Sequence, residues 1–163
     1  MSKLILIRGN SASGKTTLAN QLQEHFGTAQ CLLLHQDVLR RELLHANDHV
    51  GSPAIELIAD LLAFGARHYP IVILEGILRR DVYGAMLTQA SQYFDATSLT
   101  YYLDIPFELT WQRNLLKTSP FTMDQLKSWW LLNDQLTEND RLLTALTTAN
   151  NLTTILSDWQ QNN

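Results

Sequence analysis

Residues 9–16 read Gly9-Asn-Ser-Ala-Ser-Gly14-Lys15-Thr16, the spacing G-x-x-x-x-G-K-[ST]. This run lies between the apolar stretch Leu4-Ile-Leu-Ile7 and the helical pattern Leu18, Leu22, Phe26. Few features restrict a fold more: a strand must deliver a glycine-bounded turn at its carboxyl end, and the next helix must start from that turn. Gly9 and Gly14 permit the tight turn, so the backbone N–H groups of Asn10, Ser11, Ala12 and Ser13 can converge on an anion. The helix adds the positive end of its dipole. In such a loop Lys15 reaches the outer phosphates of a nucleoside triphosphate and the Thr16 hydroxyl holds Mg²⁺, with Thr17 beside it in the first turn. The predicted nucleotide contacts are therefore Gly9 through Thr17, and Thr16 is the predicted metal ligand.

Short apolar or β-branched runs at residues 3–8, 30–35, 71–77, 98–104 and 151–156 are bounded by polar or turn residues and read as five strands. Helical patterns run from Leu18 to Phe26, from Val38 to Leu44, through Ile55, Ile58 and Leu62, over Asp81 to Tyr93, and over Phe107 to Leu116. Strands alternating with helices predict a parallel sheet covered on both faces. Residues 46–52 and 117–121 break the periodicity and read as loops. Thr122 followed by Gln125 forms a capping box, so a further helix is expected with Met123, Leu126 and Trp130 on one face. The 163 residues suit one domain spanning 1–163.

Composition narrows the function. The net charge of −4 argues against nucleic acid as a partner, because no basic excess is available to neutralise phosphates. Cys31, the single cysteine, stands in the run Cys31-Leu-Leu-Leu34 and reads as a buried hydrophobe. The N-terminal apolar run is too short for a signal peptide or a spanning helix, so a cytoplasmic protein without a membrane partner is expected. The five histidines show no zinc-ligand spacing, and the four tryptophans read as packing groups.

Chemistry beyond the phosphate loop needs a group to receive or position the acceptor. Asp37 follows the second strand, on the side of the sheet where the first strand presents the loop. Its carboxylate could accept a hydroxyl proton, or cap the helix starting at Val38, or do both. Arg40 and Arg41, three and four residues on, could share its helix face and hold an anion. Glu75, at the end of Ile71-Val-Ile-Leu74-Glu75-Gly76, stands where a carboxylate near Mg²⁺ is common; its extra length over aspartate directs it toward acceptor or water. Arg113 and Lys117 precede the Ser119-Pro120 loop, where cations of a closing segment would screen phosphate charge. Asp134 follows Trp129-Trp130 and reads equally well as solvent-facing.

With these residues identified, the chain resembles the small bacterial phosphate-loop kinases grouped with zeta-toxin-like and polynucleotide-kinase-like proteins, some loosely labelled uridine kinase. The likeness runs through Arg8-Gly-Asn-Ser-Ala-Ser-Gly-Lys-Thr-Thr17, Gln36-Asp37-Val-Leu-Arg40-Arg41, Ile73-Leu-Glu75-Gly-Ile-Leu78, Phe107 to Arg113 and Trp129-Trp130. It implies a nucleoside monophosphate kinase-like, phosphate-loop NTPase fold of class α/β, with five parallel strands in the order 2-3-1-4-5. It also implies Asp37 as base and Arg40 as acceptor or phosphate contact. Where relatives often carry further basic residues, this chain has Gln112, Asn114 and Leu116, so Arg113 bears more of the expected lid charge. The resulting expectation is an ATP- and Mg²⁺-dependent kinase phosphorylating a hydroxyl of a small-molecule acceptor. In it Lys15, Asp37 and Arg113 are catalytic, and Asp37, Arg40 and Glu75 meet the acceptor. The alternatives are a polynucleotide 5′-hydroxyl kinase, an amino-sugar-nucleotide kinase, and a nucleotide-dependent regulatory switch whose 46–52 loop changes order with the γ-phosphate.

Overall fold

The structure is a computed structural model, and it describes residues 1–162. Alternation along the strands decides the layers. In β1 (Lys3–Gly9), Ile5 and Ile7 point to one face and Leu4 and Leu6 to the other; in β3 (Ile71–Gly76), Ile71 and Ile73 oppose Val72 and Leu74 in the same way. On the first face these residues meet Leu18, Ala19 and Leu22 of α1 (Lys15–Phe26) and Ile155 of α6 (Thr148–Gln161). On the second face they meet Ile58 and Leu62 of α2 (Pro53–His68) and Tyr83, Leu87 and Ala90 of α3 (Arg80–Ala90). Cys31, as expected, is a buried member of the first cluster, where burial pushes its thiol up to about 12.

With β2 (Cys31–His35), β4 (Leu99–Leu103) and β5 (Arg141–Leu143), the sheet is parallel throughout and ordered β2-β3-β1-β4-β5, as the resemblance implied. β1 is central, so the glycine loop leaves the sheet between its neighbours β3 and β4. α4 (Phe107–Leu115) and α5 (Met123–Trp129) frame the same end. α5 opens with the predicted capping box: the Thr122 hydroxyl accepts from Gln125 N at 3.2 Å and Gln125 Oε1 accepts from Thr122 N at 2.9 Å. Trp130, expected on its inner face, lies just past its last turn. Among the described residues no helix is long and apolar enough to cross a membrane.

Two expectations are corrected. Residues 151–156 are not a strand but the middle of α6, and the fifth strand is the three-residue segment Arg141-Leu-Leu143. The run Thr153-Thr154-Ile155 carries β-branched residues, yet the two threonine hydroxyls donate to Ala149 O and Asn150 O, one helical turn back. Leu152, Ile155 and Leu156 then fall on one helix face against the core. The second correction concerns Val38–Leu43, which is a π-helix and not an α-helix, with Leu44 N donating to Leu39 O at 3.1 Å. This wider turn begins directly after Asp37, and such turns recur at functional sites.

Candidate active site

The helix start after the glycine loop is open. Gly14 holds φ at +99°, no side chain caps α1, and the first helical bond runs from Leu18 N to Gly14 O. The amides of Lys15, Thr16 and Thr17 thus face a cavity of about 410 Å³ lined by Ser11, Ala12, Asp37, Glu75, Arg113 and Lys117, among others. Lys15 is buried, and its ammonium donates to Asn10 O at 2.7 Å. Desolvation holds it below the ordinary lysine value, while the charges of Glu75 and then Asp37 pull the other way. A lysine folded onto its own loop in this manner keeps a short-range donor ready for an incoming polyphosphate.

Glu75 is 3% exposed. Its Oε1 accepts from the Thr16 hydroxyl at 3.0 Å and lies 2.7 Å from His35 Nδ1, its neighbour across the β2–β3 pair. The strand register sets His35 beside Glu75, and the start of α1 brings Thr16 to the same carboxylate. A hydroxyl and a carboxylate side by side at a phosphate loop are hard oxygen donors of the kind Mg²⁺ takes, so these residues fit the ion.

A second cavity, about 530 Å³, adjoins the first. Ser11, Asp37, Ile77 and Lys117 border both; Arg40, Arg41, Asp48, Arg79, Phe121 and Trp129 border only the second. Asp37 is exposed and makes no cap bond. Its carboxylate instead lies 3.4 Å from Arg40 Nη2, while Arg40 Nη1 donates to Ala46 O. The cap role weighed for Asp37 is thus replaced by a partner across one turn of the π-helix.

Of the predicted nucleotide contacts, Ser11, Ala12, Gly14, Lys15, Thr16 and Thr17 line the first cavity, whereas Gly9, Asn10 and Ser13 do not. At Gly9 a Cβ would come within 3.0 Å of Leu103 Cβ, so that glycine serves close approach to β4. The Asn10 amide exchanges two 2.8 Å bonds with the backbone of Leu131. Glu75 lines the first cavity, beside Thr16, and not the second. Arg113 lines the first cavity, and its guanidinium also donates to Ser13 O at 2.7 Å and Leu146 O at 2.8 Å, clamping the loop from the β5–α6 side. Lys117, four residues on, borders both cavities.

Several residues that position the site gave only faint sequence signals. Arg8 is fully buried: Nε and Nη2 donate to Leu78 O, and the same group binds Asp134 through both its backbone and side chain. Asp134 is therefore an anchor and not solvent-facing. Gln36, 1% exposed, accepts from Leu78 N at 3.0 Å, and Gly76 is required because any Cβ there would collide with the Gln36 side chain. Held from both sides, Leu78 adopts φ +44° and the turn presents Ile77 and Arg79 to the cavities. Asn114, which stands where a cation was expected, is buried and bonds both N and O of Phe121. An arginine inside an apolar strand was the one available signal, since such a charge demands a buried partner.

Similar architecture is found in solved kinases. A gluconokinase from Sinorhizobium meliloti 1021 aligns over 98% of this chain and 92% of its own with a TM-score of 0.70 at 16% identity. A shikimate kinase from Bacteroides thetaiotaomicron aligns over 97% and 98% with a TM-score of 0.64 at 13% identity. The Mycobacterium tuberculosis APS kinase, solved with AMPPNP and APS, aligns over 98% of both chains with a TM-score of 0.61 at 17% identity. At these identities the likeness is one of fold. No curated protein matches the chain in sequence. The AAA domain family, however, matches residues 4–120, a span that holds the glycine loop, Asp37, Glu75, Arg113 and Lys117, and to that family the chain belongs.

Proposed function

We propose that the chain is an ATP- and Mg²⁺-dependent phosphotransferase that moves the γ-phosphate to a hydroxyl of a small-molecule acceptor. The observation that carries this reading is the place of Asp37, a carboxylate on the shared wall of a phosphate-loop cavity and a second cavity of small-molecule size. A hydrolytic switch has no need of that second cavity. The Asp37-x-x-Arg40 likeness to polynucleotide 5′-hydroxyl kinases supports the same acceptor side, while the acidic balance of the chain favours a small acceptor over a polynucleotide.

In this reading the amides of Lys15, Thr16 and Thr17 and the Lys15 ammonium hold the phosphates, and Thr16 with Glu75 behind it holds the metal. Bound Mg²⁺ supplies charge neutralisation at the terminal phosphates. Asp37 accepts the proton of the acceptor hydroxyl and aims its oxygen at the phosphorus; Lys117 offsets the negative charge between donor and acceptor. Arg113 acts by fixing the loop through Ser13 O. The direct test is ADP release across a panel of hydroxyl compounds. Release that rises with one acceptor, and formation of its phosphate ester, is the expected result. Slow ADP formation indifferent to every acceptor would favour the switch.

A further inference from the structure

Resting on the phosphotransferase reading, we infer that the acceptor is an anionic hydroxyl compound whose carboxylate or phosphate group is held in the second cavity by Arg41, Arg79 and Lys117. The chain as a whole carries 12 basic and 16 acidic residues, yet the charged lining of this cavity is four cations, Arg40, Arg41, Arg79 and Lys117, against two carboxylates, Asp37 and Asp48. A basic hollow in an acidic chain focuses a positive field where a small ligand would enter.

The cations are not equally satisfied. Arg40 is tied to Asp37, and Arg79 to Asp81 at 2.8 Å. Arg41 and Lys117 form no ion pair among the described residues. Both instead rest on the ring of Phe121, at 5.9 and 5.0 Å from its centroid, and Trp129 meets the same ring edge-on at 4.9 Å. The Phe121 backbone is held by two bonds with the Asn114 side chain. Two like charges gathered on one ring repel each other, and an anion between them removes that repulsion and adds charge-assisted hydrogen bonds. Nucleotide phosphates reach only Lys117 of this pair, because Arg41, like Arg79, borders only the second cavity. With the hydroxyl at Asp37, an acceptor filling this space brings its other end to these cations.

The test is calorimetric titration at constant ionic strength, with and without a non-hydrolysable ATP analogue and Mg²⁺. The probes are inorganic phosphate and two matched pairs, gluconate with glucitol and glucose 6-phosphate with glucose. A charged member should bind saturably at millimolar concentration, with its neutral counterpart at least about tenfold weaker. The pair that responds tells carboxylate from phosphate. Arg41→Gln should weaken that anion by about tenfold, whereas Arg67→Gln, which removes the same charge from the exposed end of α2, should not. Equal binding of neutral and charged members, no saturable anion, or equal effects of the two substitutions would overturn the inference. Absence of binding by the ATP analogue itself would instead count against the phosphotransferase reading, since the Arg41 comparison is also made without nucleotide.

Discussion

Lys15 shows how one residue can be placed for a ligand at a cost to the empty protein. Burial depresses its proton affinity below the ordinary value of 10.5, so the unfolded chain binds more protons there than the folded one. The charged lysine therefore weakens the nucleotide-free fold at neutral pH, and that penalty fades as the pH rises from its lowered folded value toward the ordinary one. Lys15→Met should accordingly raise the melting temperature without nucleotide, by on the order of 1 kcal/mol of stability, and abolish the upward shift expected of the natural protein with ATP and Mg²⁺. Thermal melts of both forms check the two signs together. Asp37 is the complementary case, exposed and without a structural bond beyond Arg40. Asp37→Asn should leave ATP affinity and melting temperature unchanged and lower acceptor-dependent turnover by roughly 10²- to 10⁴-fold, with the lower end favoured for a loose phosphoryl-transfer transition state. Steady-state kinetics showing full turnover in a stable variant would remove Asp37 from the chemistry.

At the scale of elements, the site depends on two segments held by one buried polar group. Arg8, at the end of β1, ties the β3–α3 turn through Leu78 O and the stretch after α5 through Asp134, so the strand that carries the glycine loop also positions two walls of the cavities. Removing that guanidinium leaves a largely buried carboxylate without its charged partner, with only the Arg80 amide, among the described residues, donating to it. Arg8→Met should cost about 3–5 kcal/mol in urea unfolding, the range for breaking a buried pair from one side. A loss under about 1 kcal/mol would mean that Asp134 and Leu78 find other donors. Elements also differ in how readily they were legible. β1, α1, β3 and the α5 capping box follow from period and cap chemistry at short range. The 151–156 segment did not, because β-branched threonines look like strand residues until their hydroxyls are seen bonding one turn back.

On the scale of the molecule, the two apolar clusters lie on opposite faces of one sheet, and β1 and β3 contribute alternate residues to both. We propose that residues 1–163 act as a single unfolding unit, since neither cluster can be exposed without stripping a face from the strands that the other needs. Urea transitions followed by tryptophan fluorescence and by far-ultraviolet circular dichroism should superimpose. Separate midpoints would divide the chain into independent parts.

What the sequence by itself determined was set by local chemistry: the glycine loop, the alternating β and α patterns, and through them the nucleotide end of the sheet. Asp37 at the end of β2 and Glu75 at the end of β3 were legible for the same reason, since a parallel sheet brings its strand ends to one edge. The tertiary structure decided which charges meet. Glu75 met His35 through strand register and Thr16 at the start of α1, Arg113 came to clamp the loop, Lys117 took the junction, and Arg8 found Asp134 across 126 positions of chain. Such pairings have no period and no fixed spacing. They arise only when burial removes water from a charge and leaves it to be satisfied by whichever distant group the packing has brought within reach.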